Sequence, residues 1–301
     1  MSGAVGSPLA PTVVMVKTPL LARGGNAARL AASSRRVART VAPAAADHER
    51  TLAAVRAALA RHGVEPLVTG VAPDAAARRA LARARLVISV GGDGTLLAAS
   101  HHVSTAALLG VNSAPRDSVG HFALARRETI AGVLDAIAAG RLRPFAVTRI
   151  RTLLDGDDLG TLALNDVLVS HGHPAATSRY LLRRGRRAEE HRSSGLWIAT
   201  AAGSTGGIRS SGGTAMPLRS RRLQFRAREL YRRPGAAHRL ASGFIPPGES
   251  LVVESQMEAG WLFVDGSRIG LPFAFGARAE LRAAPQPLRL YADPARWRSA
   301  G

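Results

Sequence analysis

The segment LVISVGGDGTLLAAS, residues 86–100, limits what this chain can fold into more than any other stretch. An apolar run long enough for a buried strand ends abruptly in glycines at 91, 92 and 94, and an apolar helical start follows. The glycines let the backbone turn sharply and let a bulky group approach the main chain. The N–H groups at the start of the following helix point outward, toward an anion. Gly91, Gly92, Gly94 and Thr95 therefore read as a phosphate-cradling loop. Asp93 is the one ionisable group inside it, where like charge repels a phosphate unless a metal or a proton-transfer role compensates. A carboxylate in that place suits a base for a hydroxyl that attacks phosphorus. A plain Asp-Gly turn is the competing reading.

The remainder of the first half fits a strand-helix alternation. TVVMVK at 12–17 reads as a strand, and Glu49–His62 as a helix with Leu52, Val55 and Leu59 on one face before Gly63. AALLGV is a further strand, and TIAGVLDAIAAG places Ile130, Val133, Leu134 and Ile137 on one helical face before Gly140. Alternation of this kind predicts a parallel sheet with helices on both faces, and ligands bind beyond the carboxyl ends of such strands. Asp93 stands at one of these ends. Residues 21–46 give no reading.

From about Pro144 the pattern changes to short strands separated by turns: FAVTRIRTLL, the turn-rich DGDDLG, TLALNDVLVS, SRYLLRR, GLWIAT, ESLVVES, GWLFVDGSRIGLPFAF and AELRAA, with DGS as a tight turn. The segment MPLRSRRLQFRARELYRRPGAAHRL shows no clear period. The sequence thus divides into an α/β domain at 1–143 carrying the GGDGT loop and a β-rich domain at 144–301. It leaves open that the C-terminal tail packs back on the first domain.

Composition removes several function classes. There is no cysteine, so there is no disulfide, thiolate metal site or Cys nucleophile. Lys17 is the one lysine, which excludes a GxxxxGKS/T loop and leaves pyridoxal phosphate chemistry a single candidate residue. The formal charge of +20 comes almost wholly from arginines spread along the chain, and aromatic residues make up only 4%. We expect a generally basic surface rather than a specific nucleic-acid interface. No basic region precedes an apolar one at the N-terminus, and no apolar run reaches the roughly 18 residues of a membrane span. The expectation is a cytoplasmic protein without a membrane partner.

GGDGT is shared by NAD kinases, by diacylglycerol and sphingosine-type lipid kinases and, more loosely, by phosphofructokinases. Further blocks discriminate among them. LLGVNSAPRDSVGHFALA at 108–125 resembles the GVN-to-GF block of NAD kinases, and the proline-glycine-threonine-asparagine-aspartate element of lipid kinases is missing. LALNDVLVS, SSGLWIATAAGSTGGI and LFVDGS resemble the later blocks of the same family, in order, as far as residue 268. The insertion in GVNSAPRDSVGH and the SSGL spelling are closest to the mitochondrial-type branch.

The resemblance implies a GGDGT-kinase α/β domain, a β-rich C-terminal domain and an active site in the cleft between them. It implies transfer of a phosphoryl group from ATP or polyphosphate, with Mg2+ or another divalent metal, to the 2′-hydroxyl of the adenosine ribose of NAD. It also implies a homodimer or higher homo-oligomer. Asp93 would hold and deprotonate that hydroxyl. Asn165 would hydrogen-bond the adenine, and Asp166, one methylene shorter than the family's usual Glu, would contact a ribose hydroxyl. Thr205 and Gly206 would line the dinucleotide, and Asn112 and Asp265 are further site candidates. No side chain is assigned as a resident metal ligand. Two positions depart from the pattern of most bacterial relatives: Ser194 replaces an Asp, and Gly207 replaces an aromatic residue whose stacking could fall to Trp197. A dinucleotide-binding sensor without catalysis, and a lipid kinase sharing only GGDGT, are the alternatives.

Other tempting features read as structural. His101 with His102, and His171 with His173, lack a third metal ligand at a usable spacing. Asp155, Asp157 and Asp158 lack the glutamate of a calcium loop, Ser204 is not in a nucleophile elbow, and Trp261 and Phe263 read as core.

Overall fold

The computed structural model describes residues 7–17, 29, 35–116, 118–232 and 238–297. The first unit, Met1–Phe145 with Leu288–Asp293, contains strands β1 (Thr12–Val16), β2 (Leu67–Gly70), β3 (Leu86–Gly91), β4 (Ala107–Asn112) and β5 (Ala125–Arg126). Its helices are α1 (Arg35–Ala60), α2 (Ala75–Arg83), α3 (Asp93–Ser100) and α4 (Ile130–Ala138). Strand β6 (Phe145–Val147) lies where the second unit begins.

That second unit, Ala146–Pro287 with Pro294–Gly301, begins with β7 (Ile150–Leu154), β8 (Asp157–Asp158), β9 (Asp166–His171), β10 (Ser178–Arg184), β11 (Arg187–Ser193) and β12 (Gly195–Ala199). A short helix α5 (Gly207–Ser210) precedes β13 (Leu223–Arg228), β14 (Ser242–Ile245), β15 (Ser250–Ser255), β16 (Gly260–Val264), β17 (Ile269–Pro272) and β18 (Arg278–Ala283). The chain then returns to the first unit as β19 (Leu288–Tyr291).

Strands β2, β1, β3, β4 and β19 lie side by side in that order, with β5 also beside β4, and they pair in parallel. Strands β3 and β4 are buried along their whole length, because helices cover the sheet and leave no wet face for polar residues to alternate onto. Val55 and Leu59 of α1 and Ile130 and Leu134 of α4 share one core with Val14, Ile88, Val90, Leu109 and Val111. Val133 and Ile137 pack at its margin, so the helical face read from the sequence is the buried one. Asp135 ties the two helices at the surface through Arg61 and His62.

The second unit is a sandwich of two six-stranded antiparallel sheets, β11-β10-β15-β18-β7-β8 and β14-β13-β12-β9-β16-β17. Alternate residues of both sheets fill one core: Tyr180, Leu182, Val253 and Leu281 from the first, and Val169, Ile198, Phe225 and Leu262 from the second.

Several boundaries differ from the sequence reading, each for a physical reason. Strand β2 and helix α2 went unread because β2 is a half-buried edge strand and α2 is rich in Ala and Arg, with only Ala77 and Leu81 buried. Helix α1 begins at Arg35 rather than near Glu49 and carries Pro43 inside it. Residues 21–28 and 30–34 of the uninterpreted stretch lie outside the described residues. FAVTRIRTLL is two strands, broken at Thr148 and the buried Arg149, whose guanidinium donates to the Gln286 carbonyl. The aperiodic arginine-rich segment contains β13, where Leu223, Phe225 and Ala227 face the core between arginines; its residues 233–237 lie outside the described ones. Trp261 and Phe263 are not core: Leu262 and Val264 turn inward, and the two rings stack on the opposite face with centroids 6.1 Å apart.

Two glycine substitutions test this backbone account. Gly195 has φ 126°, and a Cβ there would stand 2.7 Å from the Val169 carbonyl oxygen, so Gly195→Ala should cost at least about 1–3 kcal/mol. Gly132 lies inside α4 with open space around the Cβ position, so Gly132→Ala should stabilise by roughly 0.5–1 kcal/mol. Urea unfolding midpoints of the two variants read both signs.

Candidate active site

At the carboxyl end of β3, Gly91 pairs with Asn112 at the end of β4, and Gly92 caps α3 in an extended conformation. The Gly92 carbonyl accepts from Thr95 N and Leu96 N, which starts the helix. The Thr95 side chain fills the space beside Gly91, so that glycine is needed for packing. Gly94 is exposed and has no atom within 4 Å of where a Cβ would be, so nothing in the protein itself requires glycine there.

Asp93 does more than sit in a turn. Its Oδ2 accepts from His121 N at 2.9 Å and its Oδ1 from Phe122 N at 2.8 Å, which fastens a loop almost thirty residues away onto the first turn of α3. A carboxylate has about four lone-pair positions, so both oxygens keep capacity for a further hydrogen bond. Asparagine at 93 would turn an amide NH2 toward one of these two donors, so it matches aspartate in shape but not in bonding.

Asn112 holds the same loop from the other side. It is buried, its Nδ2 donates to the Ser118 carbonyl at 3.0 Å, and its Oδ1 accepts from Ala114 N at 3.1 Å. Its amide is thus occupied by the loop. Gly91, Gly92, Asp93, Gly94, Thr95 and Asn112 therefore form one constellation at neighbouring strand ends.

The second unit gathers a second set. Asp265, at φ 50°, and Gly266, at φ 96°, form the turn between β16 and β17. The Asp265 carboxylate accepts from Leu164 N at 2.8 Å, Asn165 N at 2.7 Å and Asp166 N at 3.1 Å. Asn165 Nδ2 in turn donates to Asp166 Oδ2 at 3.0 Å. Thr200 extends the set: its N–H donates to the Asn165 carbonyl, and its Oγ1 accepts from Gly203 N at the start of the turn containing Thr205 and Gly206. Asp166 is buried, and desolvation, reinforced by the Asp265 charge, pushes its pKa up to about 7. Near neutral pH this carboxyl is a proton donor about as often as an acceptor.

Ser194 is elsewhere. It lines a cavity of 260 Å³ with Ser170, His171, Ser178, Arg228 and Phe263, and none of the Asn165 set borders that cavity. Gly207 contacts Trp197: a Cβ at 207 would lie 2.7 Å from the indole, so Trp197 occupies the space a side chain at 207 would need. The Arg228 guanidinium lies over that indole, 5.7 Å from the ring centre. The histidines of the HGH run turn toward their own loop, with His171 Nδ1 accepting from His173 N and His173 Nδ1 from Ala175 N. Among the described residues, the only set of three metal-capable side chains with converging ligand atoms is Glu189, His191 and His238. The sequence reading missed it because the two histidines are 47 positions apart. Asp93 is a single carboxylate already bonded to two N–H groups, so a divalent ion at the GGDGT turn would have to be held chiefly by the phosphates of a bound nucleotide.

Comparison with known proteins adds the family. The model of the ATP-NAD kinase N-terminal domain matches residues 28–142. A probable NADH kinase of Oryza sativa subsp. japonica is 40% identical over 206 residues, 61% of this chain and 63% of the rice protein. The NADH kinase of Arabidopsis thaliana is 35% identical over 229 residues, 68% of this chain and 72% of that protein. The chain belongs to the NAD kinase family. The crystal structure of yeast NADH kinase complexed with NADH superposes with a TM-score of 0.72 at 14% identity, over 95% of this chain and 84% of that one, and so shares the fold. The plant NADH kinases agree with the mitochondrial-type branch read from the SSGL spelling. As a member of the NAD kinase family the chain belongs to a family of phosphotransferases. The aligned region spans just under two thirds of the rice relative.

Asp166 has a measurable consequence. Its folded-state pKa is raised from 3.8 to about 7, so the folded state holds one more proton than the unfolded state between those values. Its contribution to stability is therefore full below about pH 4 and is lost as pH rises to about 7. Asp166→Asn mimics the protonated acid and should remove this loss. Its stability relative to the unsubstituted protein should grow by about 2–3 kcal/mol between pH 5 and pH 8 in denaturant titrations.

Proposed function

We propose that this protein transfers the terminal phosphoryl group of ATP to the 2′-hydroxyl of the adenosine ribose of NAD or NADH. The observation that carries the proposal is the GGDGT turn. A carboxylate with spare acceptor capacity stands at the first turn of α3, beside a glycine around which the protein leaves open space. In the reaction the ribose oxygen forms a bond to the γ-phosphorus, the bond from that phosphorus to the bridging oxygen breaks, and ADP leaves. The hydroxyl proton passes to Asp93. A divalent ion carried by ATP would neutralise charge developing on the transferred group. Asn165 would meet the adenine edge with its amide oxygen. Asp166 would contact a ribose hydroxyl, as donor or acceptor according to pH. The names of the plant relatives favour the reduced dinucleotide as an acceptor.

Purified protein incubated with ATP, Mg2+ and either NAD or NADH should form the corresponding 2′-phosphorylated product, read by an NADP-specific coupled enzyme. Gly94→Ala should leave the unfolding midpoint unchanged or raised, yet cut turnover by at least about tenfold, because the added methyl enters the space a phosphate would use. Dinucleotide binding with no product from either acceptor would instead support a sensor.

We also propose a homo-oligomer, at least a dimer. The exposed edges β11, β8, β14 and β17 of the two sandwich sheets give each copy strands that need covering. Light scattering at assay concentration should return a mass of at least two chains, and a fully active monomer would refute the assembly.

A further inference from the structure

A second cluster, not used by the phosphoryl-transfer reading, lies in the β-rich unit. Glu189 and His191 are on strand β11, two residues apart and hence on one face, and His238 stands shortly before β14. One ligand atom from each lies within 4.8 Å of the others. Glu189 is already fixed in place, since its Oε1 accepts from Arg239 N at 2.9 Å and its Oε2 from Leu240 N at 2.8 Å.

His191 is the anomaly. It is fully buried, and its Nδ1 has no hydrogen-bond partner. Its Nε2 lies 3.4 Å from Glu189 Oε2, too far for a strong hydrogen bond. Burial removes water from both ring nitrogens without fully replacing it; a metal ion at Nε2 would take the place of the stretched contact and leave Nδ1 as it is. The distance has another reading. Two ligands on a tetrahedral zinc ion, each bonded at about 2.0–2.1 Å, stand roughly 3.3 Å apart. The His191–Glu189 contact already has that spacing, and His238, whose ring meets His191 edge-on with centroids 5.3 Å apart, completes a third side.

We propose that Glu189, His191 and His238 bind a divalent transition metal ion, with Zn2+ the best match. Two imidazoles and one carboxylate select for zinc-like ions over Mg2+ and Ca2+, which prefer all-oxygen shells. A cavity of 480 Å³ bordered by His191, His238, Arg179, Arg192 and Tyr231 adjoins the cluster and would have room for a water or a small anion as a further ligand. The ion would clip the end of the 238–240 segment to β11, adding metal bonds to the two backbone hydrogen bonds that Glu189 already receives.

The test uses the full-length protein, freed of any histidine tag and stripped with chelator, then titrated with zinc sulfate in competition with a chromophoric chelator. The expected result is one zinc per chain with a Kd of about 1 μM or below, and visible d–d bands of four-coordinate geometry when Co2+ is used instead. His238→Ala, at a half-exposed position, should fold normally and weaken zinc at least about 100-fold. Zinc should raise the thermal midpoint of the unsubstituted protein while Mg2+ at the same concentration does not. Affinity no tighter than about 100 μM, or equal affinity in the unsubstituted protein, His238→Ala and His191→Asn, would overturn the site. None of these readouts depends on kinase activity, so this proposal and the functional one stand or fall separately.

Discussion

The Asp265 carboxylate takes the backbone N–H groups of three consecutive residues about a hundred positions earlier in the chain, and the placement of Asn165 and Asp166 depends on that contact. Each hydrogen bond to a charged acceptor is worth about 1.5–3 kcal/mol, and the N–H of Leu164 and Asp166 belong to buried residues with no easy access to water. The contact explains why Asp265 tolerates a left-handed conformation: strain in the turn is offset by three charge-assisted bonds. Asp93 applies the same device in the first unit, where it gathers the N–H groups of His121 and Phe122. In both places a carboxylate at a strand end organises backbone from far away, and side chains that could meet a nucleotide are positioned as a result.

Asp166 and Asp265 divide their labour through environment. Asp265 is surrounded by N–H donors, while Asp166 is buried with one amide donor and a like charge nearby, which makes its proton hard to remove. A carboxyl held near neutrality can give a hydrogen bond to a ribose oxygen as well as receive one from a ribose hydroxyl. The Asp166 carboxyl lies against the Asn165 amide inside the protein. At Gly207 the indole of Trp197, on β12, fills the space a side chain would need.

Much of this was legible in the sequence, because the features concerned are local. The apolar run at 86–91, the glycine turn and the helix face of Ile130, Val133, Leu134 and Ile137 are each dictated by near neighbours. The motif order from 86 to 268 identified the family. What escaped was set by distant partners. Nothing in GGDGT says that Asp93 will hold His121 and Phe122, nothing in DGS says that Asp265 will hold Leu164, and nothing near His191 points to His238. Trp261 and Phe263 were assigned to the wrong face because period two fixes which residues share a face but not which face is wet. Strand β13 was hidden because its inward-facing residues are interleaved with Gln224, Arg226 and Arg228 in an arginine-rich segment.

The most direct test of the central claim compares Asp93→Asn with the unsubstituted protein in two measurements on the same preparation: turnover of ATP with NAD or NADH, and equilibrium affinity for the dinucleotide. If Asp93 receives the hydroxyl proton, turnover should fall by about 10²–10⁴ while affinity stays within roughly tenfold, because Asn165 and the second unit are untouched. If affinity and turnover fall together, or if turnover falls only a few-fold, Asp93 serves only to anchor the His121–Phe122 loop, and the proposed proton transfer is contradicted.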